Sequence, residues 1–559
     1  MATILLQAAG AALGSVFGTV GAVLGRAAGA LAGSAIDRAL IGGGTVSRAR
    51  LSDARIPGAE EGTAITRAYG TVRIGGTLIW ATRFEEEVRS ERQGGKASGP
   101  RVETFRYFAN FALGICEGEI AGIRRVWADG RELDLTTVEM RVYRGADMQA
   151  PDPLIEAKQG TGKAPAFRGL AYAVFERLPI DGFGNRIPVI QFEVLRPVGQ
   201  LEKDIRAVTI IPGASEHGYD PHVVTVKTGA GKSRRINRNV FHAASDWQAS
   251  LDELQALCPA LERVALVVSW FGTDLRAGDC RIMPGVETAV RQNESRVWSV
   301  NGIDRAHALL VSSDGGGPAY GGTPSDASVF AAIADLKARG AEGLSLSLRD
   351  DGYCRWQCFA EPVWRDRAAG LSMAGRITSH PAIGEPGTAD RTAAARSQID
   401  DFCGTAEAAD FTVSGTIISG GTDEGYRRLV LHYGLLAEAA GGVDGFIIGS
   451  ELRGLTQLRD DEGRFPFVEQ LVALAADVKA VVGAGTKITY AADWSEYFGY
   501  HPADGSGEVH YNLDPLWASA DIDAVGIDNY MPVSDWRDGD LWNGNPDGCM
   551  ASMLRRCRG

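Results

Sequence analysis

At 559 residues the chain is too long for one ordinary core and is expected to divide into roughly three or four domains. Its 45% hydrophobic and 23% charged residues describe a mostly globular protein, and a net charge of -13 argues against a general nucleic-acid binder, which would carry a basic stripe. The 8 cysteines are scattered without a CxxC pair, so neither a zinc site nor a disulfide framework is suggested, and they read as small buried residues.

The first segment, 1–48, departs from the globular average. From Ala2 to Gly25 there is no charged side chain, and a stretch of about 20 apolar residues is long enough to cross a bilayer as a helix. Glycines recur in steps of four, at Gly10, Gly14 and Gly18 and then at Gly21, Gly25, Gly29 and Gly33. That spacing gives a helix a bare ridge on which another helix packs closely. The segment is expected to be an apolar helix, either packed against copies of itself or entering a membrane. No basic stretch precedes it, which argues against a secretory signal.

Residues 49–200 turn β-rich. "AITRAYGTVRIGGTLIWATRFEEEVRS" holds two short β-type runs around Gly75-Gly76, which predict a hairpin. "TFRYFANFALGICEGEIAGIRRVWADGREL" adds aromatic alternation and an Asp129-Gly130 turn, and "FRGLAYAVFERLPIDGFGNRIPVIQFEVLRP" reads as two strands around a bend at Asp181 to Pro188. The expectation is an antiparallel β-domain without an active site, joined by a β-rich connection over 201–245 to the remainder, 246–559.

That remainder alternates helix with buried strand. "LERVALVVSWFG" gives an apolar strand from Val264 to Trp270. Thr323-Pro324-Ser325-Asp326 predicts a helix start capped by Thr323, and the helix ends at Gly340 before the strand "GLSLSL". "GYRRLVLHYGLLAEAAGG" leads to "VDGFIIGSE", "FPFVEQLVALAADVKAVVG" to "KITYAADW", and "DPLWASADID" to "AVGIDNY". This is the βα pattern of a parallel barrel or a doubly wound sheet. No GxGxxG opens any of the helices, so a barrel is preferred.

Three of these strands end in functional groups: Ser450-Glu451, Asp493-Trp494-Ser495-Glu496 and Asp528-Asn529-Tyr530. Parallel α/β folds place their chemistry at this rim. Acids beside Trp494, Asn529 and Tyr530 suit sugar binding, because apolar sugar faces stack on aromatic rings while sugar hydroxyls bond to acids and amides.

The phrase "FRGLAYAVFERLPIDGFGNRIPVIQFEV", with Arg67-Ala68-Tyr69-Gly70 and "GGTLIW" ahead of it, resembles the tail-tip attachment and hub proteins of long-tailed phages. The wider chain is similar to the baseplate "megatron" family of the bacterial gene transfer agents, phage-derived particles that package host DNA. The most specific phrases are "PAYGGTPSDASV", "GGVDGFIIGSELRGL", "KITYAADWSEYFGYHPADGSGEVHYNLDPLWA" and "IDAVGIDNYMPVSDWRDG". The resemblance implies a multidomain α+β and α/β protein: an N-terminal apolar helix, antiparallel tail-hub domains and a glycosidase-like (β/α)8 barrel that is incomplete in this chain. It implies a tail-tip subunit, trimeric with itself, that closes the tail tube and helps DNA, its cargo, cross the host envelope. Implied partners are the distal tail protein, the hub protein, a cell-wall peptidase, a host surface glycan and the host membrane; no cofactor or metal is implied. The alternative is a membrane-anchored retaining glycoside hydrolase.

Glu451 matches the position where barrel glycosidases keep their general acid/base. A retaining enzyme also needs a carboxylate nucleophile about 5–5.5 Å away. The family's glutamate after the seventh strand has no match here, which leaves Asp493, Glu496 and Asp528 as substitutes. Two further segments, Ser345 to Gly375 and the closing "CMASMLRRCRG", lose the family's pattern while their flanks keep it. Local frameshifts in the recorded reading frame would write such segments, the second bringing an early stop.

Overall fold

The computed structural model describes residues 46–47, 64–92, 101–212, 215–314, 317–318, 321–341, 343–350 and 376–529. The glycine-stepped segment with Gly10, Gly14, Gly18, Gly21, Gly25 and Gly29 lies outside them, as do Tyr530 and nearly all of the two pattern-breaking segments. Among the described residues no helix is long and apolar enough to cross a membrane. The chain divides into two units, Met1–Gly199 and Gln200–Gly559.

The first unit is built on two mainly antiparallel sheets. The larger centres on the strand Arg101–Glu117, which pairs with Leu170–Pro179 on one side and with Thr77–Ala81 and Glu85–Arg92 on the other. The smaller runs Gly70–Gly75, Ile190–Arg196, Gly122–Ala128, Arg131–Glu132. Their inner faces share one core, in which Phe175 stacks on Phe111 at 4.9 Å and approaches Phe192 of the other sheet at 6.3 Å.

The hairpin expected at Gly75-Gly76 does not form. Gly70–Gly75 pairs with Ile190–Arg196, whereas Thr77–Ala81 pairs with Arg101–Glu117 in the other sheet. Gly76 is the crossing point, and a Cβ there would stand 2.9 Å from Phe192 and 3.0 Å from Leu113. The glycine serves inter-sheet packing, not a turn.

The second unit contains a parallel sheet whose strands we number β1 (Ala207–Ile210), β2 (Arg263–Gly272), β3 (Gly343–Asp350), β4 (Gly445–Ser450), β5 (Lys487–Asp493) and β6 (Gly526–Asp528). Each pairs in parallel with its neighbours in sequence. A doubly wound sheet would reverse its strand order part-way. This one never does, which makes it an incomplete, curled half-barrel of the TIM-barrel-like type. The segment 201–245, read from sequence as a connection, contributes β1.

The crossovers hold helices α1 (Asp246–Leu257), α2 (Asp326–Ala338), α3 (Ala393–Cys403), α4 (Tyr426–Ala439) and α5 (Pro466–Val482). Phe446 and Ile448 of β4 and Ile488 of β5 are buried in one cluster with Leu429 and Leu436 of α4 and Leu471 and Val478 of α5. The helix faces that the 3.6-residue period makes apolar are thus the faces that cover the sheet. The start of α2 differs from expectation by two residues. Ser325 is its cap, accepting from the Ser328 N–H, while the Thr323 hydroxyl accepts from Gly285 N–H and donates to Ser269 O at the end of β2. A hydroxyl that pins a loop to a strand end is not free to cap.

Candidate active site at the strand ends

Because β4, β5 and β6 run parallel, their C-terminal residues arrive on one rim. Asp493 of β5 is the register partner of Asp528 of β6, and Ser450 of β4 is the partner of Ala491. The Ser450 hydroxyl donates to Asp528 Oδ2 at 2.5 Å, reaching past the intervening β5. Side chains of alternate strands meet only inside a curved sheet, so Ser450 and Asp528 face the barrel interior.

Glu451 leaves the end of β4 in the left-handed backbone region, with φ at 57°. Few residues other than glycine adopt that conformation, and those that do cluster at functional sites. Two bonds hold it: Glu451 N–H donates to Ala491 O at 2.9 Å, and Leu452 N–H donates to the Tyr490 hydroxyl at 2.8 Å. Just before it, the Tyr426 hydroxyl donates to Ile448 O, and a Cβ on Gly449 would stand 2.1 Å from that hydroxyl. Glycine at 449 is therefore required by the packing of α4 on β4. Glu451 itself is half-buried.

Asp493-Trp494-Ser495-Glu496 forms a reciprocal capping arrangement. Asp493 accepts from Ser495 N–H at 2.8 Å, and Glu496 Oε2 accepts from Asp493 N–H at 3.0 Å. The Glu496 carboxyl is sealed under the rim, fully buried, with the Thr456 hydroxyl at 2.5 Å and the Tyr490 hydroxyl at 3.2 Å from Oε1. Burial pushes its pKa up to about 7, against the pull of those donors, and the nearby Asp493 adds to the rise.

The four acids therefore separate into two kinds. Glu451, Asp493 and Asp528 stand half-buried at strand ends, while Glu496 supports the rim from below. Trp494 is half-buried and Asn529 exposed. Sequence reasoning passed over Tyr490 and Thr456, whose roles depend on contacts across strands. It also passed over the exposed Tyr497, Phe498 and Tyr511 in the loop that follows β5, although the aromatic run beside "DWSE" was a visible signal.

Residues 424–553 match the GTA TIM-barrel-like domain family. The match takes in α4, β4, β5 and β6, and hence every strand-end acid described above. Among solved structures, a chain from the virion of a native gene transfer agent (GTA) particle shares 38% identity, over 32% of this chain and 40% of that one, with a TM-score of 0.22. This chain thus spans well under half the length of that virion protein. A comparison with the curated proteins finds no match.

The second unit has another charged cluster that sequence reasoning did not single out. Glu216 and His217 follow β1, and Glu294, Arg291 and Arg305 lie between β2 and α2. The ligand-type atoms of Glu216, His217 and Glu294 fall within 4.8 Å of one another, as a metal site would require. Arg305 nevertheless reaches Glu216 at 2.6 Å and Glu294 at 2.9 Å, and Arg291 reaches His217 at 3.0 Å. Burial opposes charge on Glu216, but His217, Arg305 and Arg291 outweigh it and hold the carboxyl below its ordinary range. The positive charge that a cation would bring is already supplied, so the cluster reads as a buried ion network joining two loops.

Proposed function

We propose that the chain is a tail-tip or baseplate subunit of a gene-transfer-agent-type particle, whose half-barrel presents a glycan-binding mouth at the ends of β4, β5 and β6. The observation that carries this reading is Glu451, held in a left-handed turn at the rim inside the segment that matches the GTA TIM-barrel-like domain. Asp493 and Asp528 supply acceptors for sugar hydroxyls, and Trp494 with the exposed Tyr497 and Phe498 supplies stacking faces. Glu451 is the candidate acid/base should the bound glycan be cleaved.

Two further parts belong to the same proposal. The apolar, glycine-stepped segment 1–48 closes the tail tube in a homotrimer and lines the membrane passage after contact. The first unit docks to the neighbouring tail proteins. The support for both is the glycine spacing and the resemblance of the β-rich phrases.

The test uses the full chain against polysaccharide prepared from the surface of recipient cells, with binding and release of reducing sugar measured separately. Binding is expected in the wild type. Glu451→Gln, which keeps the shape but cannot donate a proton, should abolish any cleavage and spare binding. Unchanged cleavage in that variant removes the acid/base role, and absence of binding removes the glycan reading. Sugar release without particle-bound location would favour a glycoside hydrolase instead.

A further inference from the structure

The backbone that presents Glu451 is held by a buried side-chain relay. Tyr490 and Glu496 are both completely buried. The Tyr490 hydroxyl accepts Leu452 N–H at 2.8 Å and lies 3.2 and 3.4 Å from the two oxygens of the Glu496 carboxyl. Glu496 in turn meets the Thr456 hydroxyl at 2.5 Å and Asp493 N–H at 3.0 Å. Three segments thus converge on one carboxyl: the strand β5, the turn after it, and the stretch after Glu451.

We propose that Tyr490 and Glu496 are positioning residues, which set the turn at Glu451 and couple it to the protonation of Glu496. The proposal rests on the reading of Glu451 as the group that meets the ligand.

The chemistry of the hydroxyl explains the coupling. A tyrosine hydroxyl has one hydrogen to give and lone pairs to accept with. When Glu496 is ionised, the Tyr490 hydrogen is drawn to it in a charge-assisted bond and a lone pair is left for Leu452 N–H. Each bond in such a chain polarises the next. When Glu496 is protonated, its O–H donates a hydrogen bond to the nearest oxygen, Thr456 Oγ, whose own hydrogen turns to Arg453 O at 3.4 Å. The Tyr490 bond is then neutral and the grip on Leu452 weaker.

The groups acting on Glu496 are few. From β5 come Tyr490 and Asp493, the latter opposing its ionisation; from the stretch after β4 comes the uncharged Thr456, which Asn512 fixes by donating to its carbonyl at 2.9 Å. The buried carboxyl changes charge near pH 7, so the relay switches across neutral pH.

A merely structural network would hold Leu452 without reporting the charge on Glu496. The test is an NMR titration of the full chain from well below to well above pH 7, following the backbone amides of Leu452 and Glu451. Both are expected to shift with one midpoint near pH 7, and the shift is expected to vanish in Glu496→Gln, which keeps the shape of the side chain, and in Tyr490→Phe. Polysaccharide prepared from the surface of recipient cells serves as the binding probe, for which Tyr490→Phe should lose about tenfold in affinity. A Glu496 that titrates while Leu452 and Glu451 stay still overturns the relay, as does a shift that survives both substitutions. Coupled titration without binding of the recipient-cell polysaccharide upholds the relay and counts against the glycan reading, so the two failures are told apart.

Discussion

Ser450 at the end of β4 and Asp528 at the end of β6 share a 2.5 Å hydrogen bond across β5, which makes the two strands opposite walls of one curved mouth. Their bond spans the rim from β4 to β6. Asp528→Ala and Ser450→Ala should each lower stability by about 1–2 kcal/mol, as expected for a hydrogen bond to a charged group in a partly buried place. Urea unfolding of the two single variants and the double variant checks this. A double variant that costs as much as the sum of the singles would show that the two side chains do not act on each other.

The raised pKa of Glu496 makes a statement about stability. The folded chain keeps the proton up to about pH 7, while the unfolded chain gives it up near 4.5. The contribution is therefore fully present below pH 4.5 and is lost as pH rises through 7. At about 1.4 kcal/mol per pH unit between those values the loss is about 3 kcal/mol. Glu496→Gln should remove this part of the slope, measured as the difference in unfolding free energy between acid and neutral buffer; an unaltered slope would assign the pH dependence to other groups.

Gly449→Ala should be costly although it adds one methyl group. The new Cβ would lie 2.1 Å from the Tyr426 hydroxyl and 3.5 Å from the Tyr490 ring, and overpacking of this kind costs about 1–3 kcal/mol. Adding Tyr426→Phe removes the clashing oxygen, so the double variant is expected to regain part of the melting temperature that Gly449→Ala loses. No recovery would mean that the backbone at 449, not the hydroxyl, is what resists a side chain.

Arg305→Leu takes from the buried carboxylates of Glu216 and Glu294 the closest of their shared cationic partners and leaves His217 and Arg291 at 3.4 Å from Glu216 and 3.7 Å from Glu294. Breaking a buried ion network from one side costs about 3–5 kcal/mol, far more than loss of a surface pair. Thermal unfolding of the full chain should show the drop. Added divalent cation is expected to leave the wild type unchanged, and a marked cation-dependent rise in its melting temperature would restore the metal reading of this cluster.

Sequence by itself determined the features that arise from local periodicity. The apolar run Phe446 to Ile448, the helix-strand alternation after residue 246 and the acids at the strand ends were legible, because a strand buried on both faces must be apolar and its first carboxylate marks where it reaches the rim. The missing GxGxxG favoured a barrel, and the unbroken parallel order of β1 to β6 agrees with it. Tertiary structure alone decided what depends on partners distant in the chain. Gly75-Gly76 looks like a hairpin turn in isolation, yet Leu113 and Phe192 make Gly76 a crossing between sheets. Thr323 looks like a helix cap, but Ser269 and Gly285 claim its hydroxyl. Glu496 looks equal to Glu451, separated from it by a single β-α-β crossover. One follows a left-handed bend at the end of β4 and stays half-buried, and the other is fully buried beneath Tyr490, because hydrogen-bond partners supplied by other strands, and not the residue type, decide how deep a carboxyl sits.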